Sequence, residues 1–264
     1  MNFYYSAHPE GDFHLPAIDH PWLRGDGLFE TVKSERGVLF FLDRHMARLS
    51  RSAKELRFEL IDYQDLRAQV LHLLERTSGI ERGRFRITLF SNGHYLLSHE
   101  DSPLRQAPQK LFLSQKIRFS SSQLSGSKSL SYGEASLGLR LAQAQGCDDL
   151  LYLNERGEVV ETGLANILLE NRGTFLTPTL ESGCLPGIVR GVLLDWFKDV
   201  QESVVTLADI RSATGLYVLS SLREIDLVTE LRADDGSLQK FQISAAAEKL
   251  RADYLINSRS APNS

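Results

Sequence analysis

The sequence predicts an α+β protein of two domains, and three observations carry this prediction. The first part of the chain mixes short apolar strands with helical patterns, whereas the second part is rich in strands and turns. Between them, residues 99–109 are polar and contain two prolines, which indicates a linker. We therefore expect a smaller N-terminal α/β domain over residues 1–98 and a larger, strand-rich C-terminal domain over residues 110–264.

In the N-terminal domain, the pattern predicts a buried strand over residues 38–42, then two helices, then a strand over 84–90. Asp43 is expected to cap the first helix, because a carboxylate at this position accepts hydrogen bonds from free backbone N–H groups. The second helix is expected over 63–78 and ends at Gly79. The apolar residues at helical spacing in the first helix are Met46, Leu49, Ala53 and Leu56.

The C-terminal domain is predicted to begin with a strand over residues 110–119 and to continue, after a loop of small residues, with a helix over 131–145. Three strands follow, separated by turns at 154–157 and 171–173. A helix starts after Pro186 and Gly187 in LPGIVRG. Further strands lead to a last amphipathic helix, ISAAAEKLRADYLI.

Composition excludes several classes of function. The net charge of −4 over 264 residues, without a long run of Lys or Arg, argues against a nucleic-acid partner. No stretch approaches the roughly 20 apolar residues that a membrane helix needs, and the N-terminus does not resemble a signal peptide. We therefore expect a soluble cytoplasmic protein with two reduced cysteines. The histidines match no metal-ligand spacing, so no metal site is expected.

Several polar residues stand in unusual surroundings. Lys128 lies among small residues in GSKSLSY, Glu161 follows an apolar strand, and Arg48 lies on the first helix. The LPGIVRG helix start can bind an anion through its backbone N–H groups, and Ser221 ends a strand. Each has an ordinary explanation as a surface, edge or turn residue. Together they supply an amine, a carboxylate, an arginine, a helix N-terminus and a hydroxyl, the groups that a pyridoxal phosphate site requires.

The order of these segments resembles that of the class IV aminotransferases, the fold-type IV pyridoxal-phosphate enzymes. The segments are GDGLFET, DRHMARL, SKSL, EVVETGLANI, LPGIVRG and SSLREI, and they span most of the chain. The resemblance implies pyridoxal 5'-phosphate as cofactor and a two-domain homodimer with the cofactor between the domains. It places the Schiff-base lysine at Lys128, the partner of the pyridine nitrogen at Glu161, and the phosphate-binding groups at Arg48, Ile188, Val189 and Ser221.

Two departures from the family pattern are visible. Arg24 stands before GDG, where an uncharged residue is common in the family. Val189 stands where a threonine is frequent, so a side-chain contact to the phosphate is lost there and only the backbone contact can be made.

Within the family, the compact length and GDGLFET most resemble the lyases that convert 4-amino-4-deoxychorismate to 4-aminobenzoate and pyruvate, a step towards folate. The D-amino-acid aminotransferases differ, since they have a tyrosine at the position of Phe29 and an arginine that is missing from SNGHYLL. The resemblance to these lyases implies that Lys128 carries out the proton transfers. Thr31 guides a proton or orients the substrate, or it is an ordinary strand residue.

The substrate of such a lyase is a small molecule with two carboxylates, which arginines bind well. The residues expected at the substrate are therefore Arg24, Phe29, Arg86 and Arg223. Two alternatives remain open at this point. One is an aminotransferase of branched-chain or other small amino acids on the same fold, and the other is a non-enzymatic binding domain.

Overall fold

The computed structural model of the chain describes residues 3–6, 21–102 and 108–262. Its contacts divide the chain into two compact units. The first consists of Met1–Leu104, Ser127–Tyr132 and Ser258–Ser264, and the second consists of Arg105–Gly126 and Gly133–Asn257.

The predicted linker over residues 99–109 falls partly on residues 103–107, which lie outside the described residues. At its two ends the described chain is extended, because one strand continues to Asp101 and the next begins at Gln109. The division into domains at 1–98 and 110–264 stays a prediction.

The first unit is an antiparallel sheet with two long helices. Its elements are β1 (Phe3–Tyr5), α1 (Pro21–Arg24), β2 (Gly27–Glu35), β3 (Val38–Leu39), α2 (Leu42–Glu55), α3 (Tyr63–Arg76), β4 (Arg82–Phe90) and β5 (Tyr95–Asp101). Among the described residues, the strands lie in the order β1-β5-β4-β2-β3. Helix α2 packs on β2 and α3 packs on β5, which buries the alternating apolar side chains of the strands in one core.

The start of α2 differs from the sequence prediction. The strand expected over residues 38–42 is limited to Val38–Leu39, because Phe41 adopts a left-handed conformation with φ of 57° and precedes the helix as its N-cap. Asp43 is therefore not the cap. It lies in the first turn of α2, where its carboxylate pairs with Arg67 of α3. Both phenylalanines of this turn are buried, so the core and not a side-chain cap fixes the reversal of the chain.

The second helix of this unit is capped as helices usually are. The Asp62 carboxylate accepts hydrogen bonds from the backbone N–H groups of Gln64 and Asp65, at 2.8 and 3.3 Å. The helix ends at Arg76 with Thr77 as its C-cap, so Gly79 is not the residue that ends it. The strand predicted over 84–90 is confirmed, and β4 begins two residues earlier, at Arg82.

The second unit is built on a larger mixed sheet. Its elements are β6 (Gln109–Ile117), α4 (Gly133–Ala144), β7 (Asp149–Leu153), β8 (Val159–Thr162), β9 (Asn166–Asn171), β10 (Thr174–Pro178), a 3-10 turn (Leu180–Ser182), α5 (Ile188–Trp196), β11 (Val200–Ser203), α6 (Leu207–Ser212), β12 (Gly215–Ser220), β13 (Glu224–Arg232), β14 (Leu238–Lys240) and α7 (Ala245–Ser260), whose end from Ser258 belongs to the first unit. Among the described strands the order is β11-β10-β9-β12-β13-β6-β7-β8, with β14 beside β13.

This second sheet contains both parallel and antiparallel pairs of strands. Strand β6 is parallel to β7 and to β13, and β10 is parallel to β11, whereas the hairpin neighbours are antiparallel. The apolar side chains of one sheet face form a core of their own. The predicted α+β class is thus confirmed, and the larger share of strands lies in the second unit.

Two further observations concern the chain as a whole. Cys147 and Cys184 are buried and form no disulfide, as expected from their number and separation. No helix in the described part of the chain has both the length and the apolar character needed to cross a membrane.

Candidate active site

The segment that carries Lys128 is held against a strand of the first unit. The backbone N–H of Phe29 donates to the carbonyl oxygen of Lys128 at 2.8 Å, and the N–H of Leu130 donates to the carbonyl of Gly27 at 2.8 Å. A side chain at Gly27 would lie 2.6 Å from the Leu130 Cδ1 atom and 2.8 Å from the Leu89 carbonyl oxygen. Only glycine permits this close pairing, so the lysine stands on a fixed backbone.

The Lys128 amine contacts an aromatic and cationic cluster in the same unit. Its Nζ atom lies 4.5 Å from the centre of the Phe29 ring, and the guanidinium carbon of Arg86 lies 3.9 Å from that centre. Tyr132 meets the same ring edge-on, with 5.4 Å between ring centroids. The structure therefore brings together three of the residues predicted from the sequence and adds Tyr132 to them.

Arg86 is a cation in a partly buried position. It lies opposite Thr31 in the pairing of β2 with β4. Burial, with a smaller effect from Arg84, lowers the pKa of the Arg86 guanidinium from its usual value. Because an arginine keeps its proton in proteins, the consequence is a charge for which a carboxylate ligand is a favourable partner.

Arg48 belongs to a buried polar network of the first unit. Its Nε and Nη2 atoms donate to the two carboxylate oxygens of Glu30 at 2.8 and 2.5 Å, and His45 Nδ1 lies 2.6 Å from Glu30 Oε2. The sequence predicted Arg48 as a phosphate ligand but missed Glu30, although GDGLFET contains it. An acidic residue inside a strand whose neighbours are buried is the signal that could have identified it.

Glu161 is surrounded by donors in the second unit. The Nη1 atom of Arg118 donates to its Oε1 at 2.7 Å, and its Oε2 accepts from Asn166 Nδ2 at 3.0 Å and from the Leu185 N–H at 3.1 Å. Arg118 also stacks over the Tyr152 ring, 4.5 Å from its centre. These contacts hold the carboxylate in one orientation.

Sequence reasoning missed Arg118 as a site residue. It lies just beyond the end of β6, whereas Glu161 lies in β8. Strand β7 pairs with both β6 and β8, and this brings the end of β6 near β8. No short-range pattern connects positions that are 43 residues apart.

Asn166 connects Glu161 to the start of α5. Its Nδ2 atom also donates to the Leu185 carbonyl at 2.8 Å, and a Cβ atom at Gly187 would lie 1.8 Å from its Oδ1 atom. Gly187 is the N-cap of α5 and supplies no side-chain cap. The first backbone N–H groups of the helix, including those of Ile188 and Val189, have no acceptor within the helix and suit an anion such as a phosphate.

The other predicted residues lie in a turn of the second unit and in helix α1 of the first. Ser221 and Arg223 lie in the turn between β12 and β13, where the Arg223 N–H donates to Ser220 Oγ at 3.3 Å. The Arg223 side chain donates through Nη1 to the Gln109 Oε1 atom at 2.5 Å. Arg24 is the last residue of α1 and is exposed. Arg86, one of the three arginines proposed for the substrate, shares the Phe29 ring with Lys128 in the first unit.

The residues present fit pyridoxal phosphate. The first unit provides an amine on a rigid backbone and a buried arginine. The second unit provides a carboxylate surrounded by donors and a helix start, at Gly187, that tolerates no side chain. These groups match the aldehyde, the ring nitrogen and the phosphate of the cofactor in chemical type.

Comparisons with known proteins agree on one family. Residues 27–231 match the family model described as amino-transferase class IV. A Methanocaldococcus jannaschii protein, named provisionally as a branched-chain-amino-acid aminotransferase, is 27% identical over 93% of this chain and 91% of its own length. The aminodeoxychorismate lyase of Bacillus subtilis is 24% identical over 94% and 92%. The PLP-bound structure of a hypothetical aminotransferase from Mycobacterium tuberculosis superposes with a TM-score of 0.83 at 19% identity, covering 98% of both chains.

Proposed function

The chain belongs to the class IV aminotransferase family, whose cofactor is pyridoxal 5'-phosphate, and on this premise we propose that it is a lyase that converts 4-amino-4-deoxychorismate to 4-aminobenzoate and pyruvate. The observation that supports the lyase is the cluster of Lys128, Phe29 and Arg86 in the first unit. An amine beside an aromatic ring and a partly buried arginine suits a cyclic substrate that carries carboxylates. The similarity to the Bacillus subtilis lyase agrees with it.

In the proposed reaction the residues of the chain have separate roles. When bound, pyridoxal phosphate supplies an aldehyde for the substrate amine and a ring that withdraws electrons. The Lys128 amine removes the proton from the substrate carbon that bears the amine. The Glu161 carboxylate holds the proton of the pyridine nitrogen, and the donors around it fix its orientation. Loss of the enolpyruvyl group as pyruvate then makes the substrate ring aromatic.

Positioning is the task of the other residues in this proposal. Arg86 binds a substrate carboxylate, and Thr31, its neighbour across β2 and β4, orients the substrate or guides a proton. Arg48, the backbone N–H groups of Ile188 and Val189, and the Ser221 hydroxyl bind the phosphate of the cofactor. Arg24 and Arg223 are further candidates for the second carboxylate.

A coupled assay tests the lyase directly. The purified protein is combined with chorismate, an ammonia source and an aminodeoxychorismate synthase, and 4-aminobenzoate is measured by its fluorescence after chromatography. We expect product well above a control with the synthase alone, and none above it with the Lys128→Ala variant. A wild-type protein that adds nothing to the synthase control would disprove the lyase.

The alternative function is an aminotransferase of branched-chain or other small amino acids. The Methanocaldococcus jannaschii relative favours it, at 27% identity against 24% for the Bacillus subtilis lyase. A panel of amino acids, each added to the loaded protein, distinguishes the two functions. An aminotransferase converts the cofactor to its amine form, visible as a shift of the absorption band, and a keto acid reverses the shift. A lyase without transfer activity shows neither change.

A further inference from the structure

Glu30, His45 and Arg48 form a polar network inside the core of the first unit. Glu30 lies in the middle of β2, and His45 and Arg48 lie three residues apart on α2, so that both side chains leave the same helix face. The three residues are 1%, 0% and 5% exposed. The two atoms Nε and Nη2 of Arg48 meet the two oxygens of Glu30, which is the bidentate arrangement that fixes the plane of a guanidinium.

Stability alone does not account for this arrangement. Taking a carboxylate and a guanidinium out of water is costly, and apolar residues of similar volume commonly stabilise a core as well or better. The network lies beside the buried apolar residues of β2 and α2. Apolar side chains as large as Glu30, His45 and Arg48 would therefore pack in its place. A buried ion pair that fixes the direction of one arginine has a purpose when that arginine binds a ligand.

The neighbourhood of the network connects it to the cofactor lysine. The positive charge of Lys128 is among the causes that lower the pKa of His45, after burial of the imidazole, which has the largest effect. Lys128 and the network are therefore within electrostatic range of each other inside the first unit. Within the network, two hydrogen bonds join the guanidinium of Arg48 to the carboxylate of Glu30.

We propose that Glu30 is a positioning residue for cofactor binding, which orients Arg48 so that its guanidinium receives the phosphate without a loss of side-chain freedom on binding. The inference rests on the proposed phosphate role of Arg48. An arginine side chain has much rotational freedom, and its loss on binding weakens affinity. A bidentate pair with Glu30 that already orients the guanidinium avoids this loss of entropy in the binding step. The competing possibility is that Glu30 lowers the affinity for phosphate, because a carboxylate that neutralises Arg48 weakens its attraction for an anion.

The test compares two ligands that differ only in the phosphate. Dissociation constants of pyridoxal 5'-phosphate and of pyridoxal are measured by absorption or fluorescence titration, without turnover, for the wild-type protein and for Glu30→Gln. We take the ratio of the dissociation constant of pyridoxal to that of pyridoxal 5'-phosphate, which is large when the phosphate is recognised. Pyridoxal closes to a hemiacetal in water to the same extent whichever variant is present, so the change in this ratio between variants isolates phosphate recognition. We expect the ratio to fall by at least about tenfold in Glu30→Gln, the effect of misaligning one hydrogen bond to a charged group.

Four further variants make the result specific. Glu30→Asp keeps the charge but shortens the side chain, and it must also lower the ratio; it replaces Glu30→Gln if that variant does not fold by circular dichroism. Arg48→Met lowers the ratio, and adding Glu30→Gln to it must change nothing further. Glu35→Gln, on the same strand but outside the network, is the matched control and leaves the ratio unchanged.

Three results would overturn the inference. They are an unchanged ratio in folded Glu30→Gln, a higher ratio in that variant, or a wild-type ratio close to one. The measurement does not depend on the reaction. A protein that shows the expected fall but makes no 4-aminobenzoate would disprove the proposed lyase and leave the role of Glu30 intact.

Discussion

At the scale of single residues, the chemistry of the candidate site depends on the partners of each charged group. Lys128 would be an ordinary loop lysine if its backbone were free, but Phe29 and Gly27 hold that backbone on β2. Glu161 would be an ordinary strand-end carboxylate without Arg118 and Asn166. The same residue types scattered over a surface would have no special reactivity, because solvent would screen them.

Substitution of Arg86 is expected to affect the substrate and spare the cofactor. In Arg86→Met the partner of the substrate carboxylate is lost, so KM for aminodeoxychorismate should rise by about ten- to a hundredfold. The visible spectrum of the loaded protein should not change, since Arg86 contacts Phe29 and not a proposed phosphate group.

Steady-state kinetics and an absorption spectrum check this prediction. Arg84→Met is the matched control, because Arg84 lies on the same strand and pairs with the exposed Glu100 carboxylate. An Arg86→Met protein with wild-type KM would remove Arg86 from the substrate site.

At the scale of elements, the start of α5 and the strand β2 depend on glycines that accept no side chain. Gly187 lies against Asn166, and Gly27 lies against Leu130 and Leu89. A side chain at Gly187 would meet the amide of Asn166, which cannot move without breaking its own hydrogen bonds. A side chain at Gly27 would meet the backbone carbonyl oxygen of Leu89 as well as the end of the Leu130 side chain.

Gly187→Ala is therefore expected to weaken cofactor binding. The added methyl group would displace Asn166, which holds Glu161, and would shift the first turn of α5. We expect the affinity for pyridoxal phosphate to fall by about tenfold or more. Gly133→Ala is the control, because a side chain at Gly133 meets nothing within 4 Å.

Titration of both variants with pyridoxal phosphate, together with thermal melts, checks this. The control should bind as the wild type does. Equal affinity of Gly187→Ala and wild type would show that the start of α5 does not contribute to the cofactor site.

At the scale of the whole molecule, acid should destabilise the fold through Glu30. Burial alone would raise the pKa of Glu30, but the charges and hydrogen bonds of Arg48 and His45 outweigh it and lower the pKa to about 2. A carboxyl group whose pKa is lower in the folded than in the unfolded chain stabilises the fold above its unfolded pKa. That stability is lost as the pH falls from about 4.5, the ordinary value, towards 2.

The loss is on the order of 3 kcal/mol in the free energy of unfolding. Urea unfolding of the cofactor-free protein between pH 6 and pH 2.5 measures it. The Glu30→Gln variant starts from a lower stability and should lose less of it over this range. Parallel pH profiles of the two proteins would contradict the assignment.

The proposed homodimer is a second prediction at this scale. It follows from the resemblance to the family, and analytical ultracentrifugation of the loaded protein at micromolar concentration tests it. A sedimentation coefficient that fits a species of 29.7 kDa would exclude the dimer.

The sequence by itself determined the class of fold, the family and the identity of the cofactor. Hydrophobic periodicity predicted helices such as α3 and strands such as β4, because period and burial are local properties of the chain. Motif order was enough to propose roles for Lys128, Arg48 and Glu161, since each is part of a short segment whose neighbours are also recognisable.

Only the tertiary structure decided the partners of these residues. Glu30 meets Arg48 across 18 residues and Arg118 meets Glu161 across 43, and neither pair follows from a local pattern. The segment 127–132 joins the first unit because its backbone pairs with β2, a contact across about a hundred residues of sequence. Hydrogen bonds and ion pairs depend on distance in space, which the order of residues does not contain until strands pair and helices pack.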